Sequence, residues 1–212
     1  MRIAILTFDG FNEIDSFVAS YMINRVTRPG WKAEITCPGP VVESGRGVRV
    51  HAQQPLEFTA QADAVLVGSG SQSPHLSEDP RILSRLVLDP RRQLLGSQCS
   101  GALILAKLGL LEARPICTDL GTRPRLEAAG FHVLEQPFFA RGNVATAGGC
   151  LSSHYLATWF LWTLAGSSAA EEALAYVAPV GEEREYVARA MGIVGEFIDR
   201  PARGTSQTRP SP

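Results

Sequence analysis

The chain has 212 residues, a formal net charge of −1, 45% hydrophobic and 19% charged residues, and four cysteines. That length suits one compact α/β domain and is ample to bury a core; the apolar content excludes global disorder, and the balanced charge argues against a surface specialised for nucleic acid or an anionic membrane. Cys37, Cys99, Cys117 and Cys150 are too sparse for a disulfide scaffold, and none forms a CxxC or Cys/His cluster at zinc-ligand spacing, so neither a metal nor any other cofactor is expected.

The first run, Arg2–Leu6 (RIAIL), is nearly continuous in apolar residues, as expected of a strand buried on both faces. Asp9, Gly10, Glu13 and Asp15 follow closely, which no signal-peptide core would tolerate, so the reading is of a cytoplasmic protein. A helix is predicted over residues 14–26, where Ile14, Phe17, Val18, Tyr21, Met22 and Ile23 recur at helical spacing, and a strand over 33–37. Residues 41–50 alternate around Gly45-Arg46-Gly47 and read as a small β-ribbon. Strands at Ala64–Val67 and 94–97 enclose a helix at 80–88, opened by Asp79 as N-cap with Pro80 at its first position. A second ribbon-like region spans 138–147 with Gly142-Asn143 at its turn. Helices follow at 152–164, at about 168–178 and at 182–198. The greasy stretch YLATWFLWTLA at 155–165 is too short to span a membrane. Alternating strands and helices imply right-handed crossovers and a doubly wound, mostly parallel sheet with helices on both faces. Residues 1–199 read as a single domain and the proline-rich 200–212 as a flexible tail.

The most informative stretch is LLGSQCSGALILAKL at 94–108. A strand ends, Cys99 sits in the turn, and a helix begins at Ser100, with small residues on both sides as a sharp strand-to-helix elbow requires. An elbow lifts a nucleophile to the C-terminal edge of the sheet, and a helix N-terminus there favours the thiolate. In VLVGSGSQSPHLSEDP, at 65–80, a strand runs into Gly68-Ser69-Gly70-Ser71, whose backbone amides could turn towards a ligand. His75, nearby, reads as an exposed loop residue. Asp15 lies after the first strand and reads equally as a helix cap or a functional acid. Loops after parallel strands converge on one edge, so Asp15, Gly70 and Cys99 are expected to meet. Gly148-Gly149-Cys150 could line the same edge, although Cys150 and Cys117 taken alone read as packing thiols. Lys32 and Lys107 are the only lysines and neither lies in a site, so Schiff-base chemistry has no support.

The set RIAILTFDGFNEID, VLVGSGSQSPHLSEDP, SQCSGALILAKLGLL and GNVATAGGCLSSHYLA resembles the ThiJ/PfpI superfamily, and within it the isocyanide hydratase branch. The resemblance covers nearly the whole chain. It implies a flavodoxin-like sandwich related to class I glutamine amidotransferases, homodimerisation, and a hydratase chemistry in which Cys99 adds to a small electrophile with Asp15 managing protons. It also implies an anion pocket formed by Gly70 and the amide of Ser100. Ser69, Ser71, Gly149, Cys150 and Asp119 are the further candidates for lining the pocket. Gly68-Ser69-Gly70 stands where the family normally reads Pro-Gly-Gly, Asp119 stands where many relatives have histidine, and Tyr155 stands where the hydratases tend to have aspartate. Two alternatives share the nucleophile: a redox or stress sensor with an oxidisable Cys99, and a glyoxalase- or deglycase-like enzyme. A ligand-sensing module of a DNA-binding regulator has little support, since the sequence carries no basic recognition helix.

Overall fold

A computed structural model describes residues 1–112 and 114–198; the tail expected at 200–212 lies outside the described residues. In chain order the elements are β1 (Arg2–Leu6), α1 (Glu13–Ile23), β2 (Lys32–Cys37), β3 (Val41–Glu43), β4 (Arg49–His51), β5 (Gln54–Pro55), β6 (Ala64–Val67), α2 (Ser73–Leu76), α3 (Pro80–Leu83), β7 (Leu94–Gln98), α4 (Ala102–Lys107), α5 (Arg123–Ala128), β8 (Phe138–Arg141), β9 (Val144–Ala147), α6 (Ser153–Ala165), α7 (Ser167–Val177) and α8 (Glu183–Gly195). The main sheet has seven strands in the order β5-β2-β1-β6-β7-β9-β8. All its neighbours run parallel except β8, which is antiparallel to β9 at one edge. β3 and β4 form a separate antiparallel ribbon. The architecture is the flavodoxin-like, doubly wound sheet with a small ribbon.

The central strands owe their continuous apolar sequences to burial from both sides. Successive side chains of a strand point to opposite faces, and in β1 Ile3 and Ile5 join one core while Ala4 and Leu6 join the other. The first core is covered by α1, α6, α7 and α8, with Trp159, Phe160 and Leu174 fully or nearly fully buried. The second lies under α4 and α5, with Ile104, Leu105, Leu111 and Leu126.

Departures from the expected pattern are local. α1 stops at Ile23 because the Asn24 side chain leaves the helix to clamp the next strand. Its Oδ1 accepts from Ala33 N at 2.8 Å and its Nδ2 donates to Ala33 O at 2.9 Å. The helix expected over 80–88 keeps its Asp79 cap, which accepts from Arg81 N at 2.9 Å, yet is regular only to Leu83. Beyond it Arg85 and Leu86 bond three residues back, and Arg85 is drawn to Glu57 and to the carbonyl of Pro38. The second ribbon-like region forms as expected, an antiparallel pair of β8 and β9 turning at Gly142-Asn143, and it joins the main sheet, with β9 beside β7 and β8 closing the edge. Among the described residues no helix is long and apolar enough to cross a membrane.

Candidate active site

Parallel β1, β6, β7 and β9 end at the same edge of the sheet, so the loops leaving them meet there. Phe11, after β1, makes an antiparallel bridge with Gly70, after β6, and Asn12 N donates to Ser69 O at 3.0 Å. That contact needs a glycine at position 70, since a Cβ there would lie 2.5 Å from Gly10 O. α1 then starts with Asn12, whose Oδ1 accepts from Ile14 N at 3.1 Å. The cap is therefore Asn12. Asp15, one turn in, is freed from that duty and is fully buried, facing the sheet edge.

Cys99 follows β7 directly. It has a φ of +46°, the one non-glycine residue with positive φ among the described residues. Left-handed backbone is unfavourable for a side chain bearing a Cβ and persists only where the surroundings over-determine it. Here the following Gly101 lets the elbow sit against β6, because a Cβ at 101 would lie 2.4 Å from Val67 O. Thr118 Oγ1 donates to the carbonyl of Cys99 at 2.9 Å. The turn begins as a single 3-10 turn, Cys99–Gly101, followed by only six residues of α4.

A carboxylate oxygen of Asp15, the sulfur of Cys99 and the sulfur of Cys150 all lie within 4.8 Å of one another. Ser69 Oγ donates a short hydrogen bond to Asp15 Oδ2, while Oδ1 is buried without a hydrogen-bond partner among the described residues. Gln98 Nε2 donates to Gly149 O at 2.8 Å and to Cys99 Sγ at 3.4 Å, and Asn12 Nδ2 donates to Cys150 Sγ at 3.1 Å. The trio is the one cluster of metal-ligating side chains among the described residues. With three ligands it falls short of a closed four-ligand zinc site.

Electrostatics differ from the expected dipole-stabilised thiolate. Burial pushes the Cys99 thiol well above the ordinary range, and the neighbouring Asp15 carboxylate pushes it further. The helix behind it is too short to offset this. Burial likewise raises Asp15 above the usual carboxylate value, against the hydrogen bonds from Ser69, Cys99 and Cys150 that lower it. Burial thus disfavours the charged form of both groups, and such neighbours titrate as a pair.

Cys99 opens into a cavity of about 740 Å³ lined also by Asn12, Glu13, Arg46, Ser69, Gly70, Ser71, Ser100, Asp119, Thr122 and Cys150. Of the residues read from the sequence, Ser69, Gly70, Ser71, Cys99, Ser100, Asp119 and Cys150 line it together. Asp15 lies behind the sulfurs and Gly149 lies in the neighbouring cleft. Three of these have roles that the sequence did not indicate. Ser69 holds the carboxylate of Asp15. The N–H of Gly70 is engaged by Ser100 Oγ at 3.2 Å, which itself donates to Ser73 Oγ at 2.9 Å. Cys150, read alone as a packing thiol, is half-buried and lies in the cluster with Asp15 and Cys99. Asp119 Oδ1 is occupied by the N–H groups of Gly121 and Thr122, both at 3.0 Å. His75 is exposed on α2, Tyr155 is buried against His154, and Cys117 is wholly buried, so all three stand apart from the sulfur cluster. Asn12 and Gln98 were missed. A cap position and a final strand residue signal only local structure, and their contacts with sulfur arise in three dimensions.

The DJ-1/PfpI family model matches residues 1–161 of the chain. Among solved structures, Schizosaccharomyces pombe DJ-1 superposes with a TM-score of 0.73 at 19% identity, covering 84% of this chain and 100% of that one. A ThiJ/PfpI family protein from Pseudomonas syringae gives 0.72 at 19% identity, with 92% and 90% covered. Oxidized Toxoplasma gondii DJ-1 gives 0.71 at 16% identity, with 83% and 97% covered. These likenesses establish the fold. No curated protein matches the sequence.

Proposed function

The chain belongs to the DJ-1/PfpI family, and on that footing we propose that it is a cysteine-dependent hydratase or hydrolase of a small electrophile, with an isocyanide as substrate. The observation that carries the reading is the approach of Cys99 Sγ to the buried Asp15 carboxylate at the mouth of an open cavity. Asp15 accepts the thiol proton as sulfur adds to the terminal isocyanide carbon, then returns it to that carbon, leaving a thioimidate on Cys99. Water activated by the same carboxylate adds to the thioimidate carbon. Collapse breaks the carbon–sulfur bond, releases an N-substituted formamide and restores the thiol. Ser69 keeps Asp15 in register, and the amide of Ser100, among the N–H groups that a helix start leaves without an intrahelical partner, faces the charge that develops.

The test is formation of the formamide from an aryl isocyanide by wild type, Cys99→Ser and Asp15→Asn. Loss of a positioned proton carrier costs about 10²- to 10⁴-fold, so Asp15→Asn is expected to fall by about 10² or more and Cys99→Ser to the uncatalysed rate. Equal rates in all three would overturn the reading.

The family includes stress-sensing and deglycase members. An oxidant-sensing Cys99 is the second reading, favoured by the second sulfur beside it. Selective oxidation of Cys99 by peroxide without turnover of any electrophile would select it. Homodimerisation and a cytoplasmic setting complete the proposal, in line with the usual habit of the family.

A further inference from the structure

Cys99 and Cys150 hang from neighbouring strands. β7 and β9 pair in parallel with Gln98 opposite Ala147, so the chain leaves both at one edge, about 4.8 Å apart. Cys99 follows at once, and Cys150 follows two glycines. Gly148 is packed so tightly that a Cβ would lie 2.2 Å from Thr118 O, and Gly149 takes a φ of +87°. This path returns Cys150 to the elbow, where its sulfur lies within 4.8 Å of that of Cys99. The Gln98 amide ties the two loops together by bonding Gly149 O and Cys99 Sγ, and Asn12 Nδ2 aims the Cys150 sulfur from the other side. Adding a thiol to an electrophile requires none of this. A disulfide requires sulfurs about 2.05 Å apart, a closure of under about 3 Å within reach of a χ1 rotation of the half-buried Cys150, the first residue of a 3-10 turn.

We propose that Cys150 is the resolving thiol for an oxidised Cys99. A hydroperoxide entering the cavity that both sulfurs line is attacked by the Cys99 sulfur. The O–O bond breaks, the peroxide is reduced to water or an alcohol, and Cys99 becomes a sulfenic acid. Cys150 sulfur then attacks that sulfur, the S–O bond breaks, the released hydroxide takes the thiol proton through Asp15 and leaves as water, and the Cys99–Cys150 disulfide remains. A dithiol reductant restores both thiols by exchange. The pair therefore halts Cys99 at a reversible stage, before the irreversible sulfinic acid.

The proposal shares with the hydratase reading only an accessible Cys99. Wild type and Cys150→Ser are treated with equimolar hydrogen peroxide and mapped by mass spectrometry of peptides, without reductant, and Cys99 alkylation by iodoacetamide is followed in parallel. Wild type is expected to yield the intramolecular Cys99–Cys150 peptide, lost on adding a dithiol. Cys150→Ser is expected to accumulate Cys99 sulfenic and then sulfinic acid several-fold faster than wild type. Equal sulfinic acid in both proteins, with Cys99 readily alkylated, would overturn the resolving role while leaving the nucleophile intact. A Cys99 inert to both reagents would overturn this proposal and the hydratase reading together.

Discussion

The elbow sulfur and the first-helix carboxylate lie together at the sheet edge, two buried acids whose charged forms are both disfavoured. Asp15 was legible in the sequence as an acid near the sheet edge, and Cys99 as a nucleophile from the small residues around it. The rise of both groups towards their neutral forms was not legible, because burial is a property of the packed chain. Its consequence is measurable. The folded Asp15 holds a proton more tightly than the ordinary value of about 3.8. Folding therefore takes up a proton between that value and the raised one. The stabilising contribution is complete below the unfolded value and is lost as pH rises through the folded one. Asp15→Asn does not titrate. The melting temperature of wild type, relative to Asp15→Asn, is therefore expected to fall as pH climbs from about 3.8 towards neutrality. A difference independent of pH would show that the carboxyl keeps its ordinary affinity. Ser69 and Cys150 were legible only as candidates to line a pocket, since neither the hydrogen bond to Asp15 nor the second sulfur's position follows from spacing.

At the level of elements, the strands were legible because two-sided burial writes itself as unbroken apolar runs: the reading of Arg2–Leu6 and Ala64–Val67 matches β1 and β6 residue for residue. The short helices were less so. A four-residue helix such as α3 is ended by contacts of Arg85 with distant residues, and β5, two residues long, has no period to detect. Glycine makes the clearest test at this scale. Gly101→Ala would place a Cβ 2.4 Å from the backbone oxygen of Val67, where neither partner can swing aside. A loss of about 1–3 kcal/mol is expected from such overpacking, together with displacement of Cys99 and loss of turnover. Gly192→Ala on α8 meets nothing within 4 Å and is expected to gain about 0.5–1 kcal/mol from helix propensity alone. Denaturant unfolding of the two variants checks both signs; a neutral Gly101→Ala would mean that the elbow is not wedged against β6.

Across the whole molecule the four cysteines divide by whether they line the site cavity: Cys99 and Cys150 do, Cys37 and Cys117 do not. Burial pushes the Cys37 and Cys117 thiols up to about 12, with the charge of Asp9 adding to the rise at Cys37, and pushes Cys99 higher still, so access to the cavity and not acidity separates the pairs. Cys37 and Cys117 are almost wholly buried, and neither lines the cavity that Cys99 and Cys150 share. Alkylation of the native protein at neutral pH is expected to spare them and to modify Cys99 and Cys150. Labelling at Cys37 and Cys117 should appear only as denaturant unfolds the chain, with the same midpoint as the loss of helical circular dichroism. Early labelling of either would show that the sheet opens locally. The same doubly wound fold carries all four thiols, yet the site cavity opens onto Cys99 and Cys150 alone of them, and residue order cannot distinguish the pairs.

The hydroxyl of Ser100 already occupies the N–H of Gly70. Any guest seeking that N–H must evict a bound hydroxyl rather than loose solvent. A neutral ether or amide oxygen gains little by such an exchange, whereas an atom bearing a formal negative charge gains about twice as much per contact. In the proposed reaction the pocket is thereby selective in time as well as in shape: indifferent to the resting guest, and responsive at the moment when electrons arrive from sulfur.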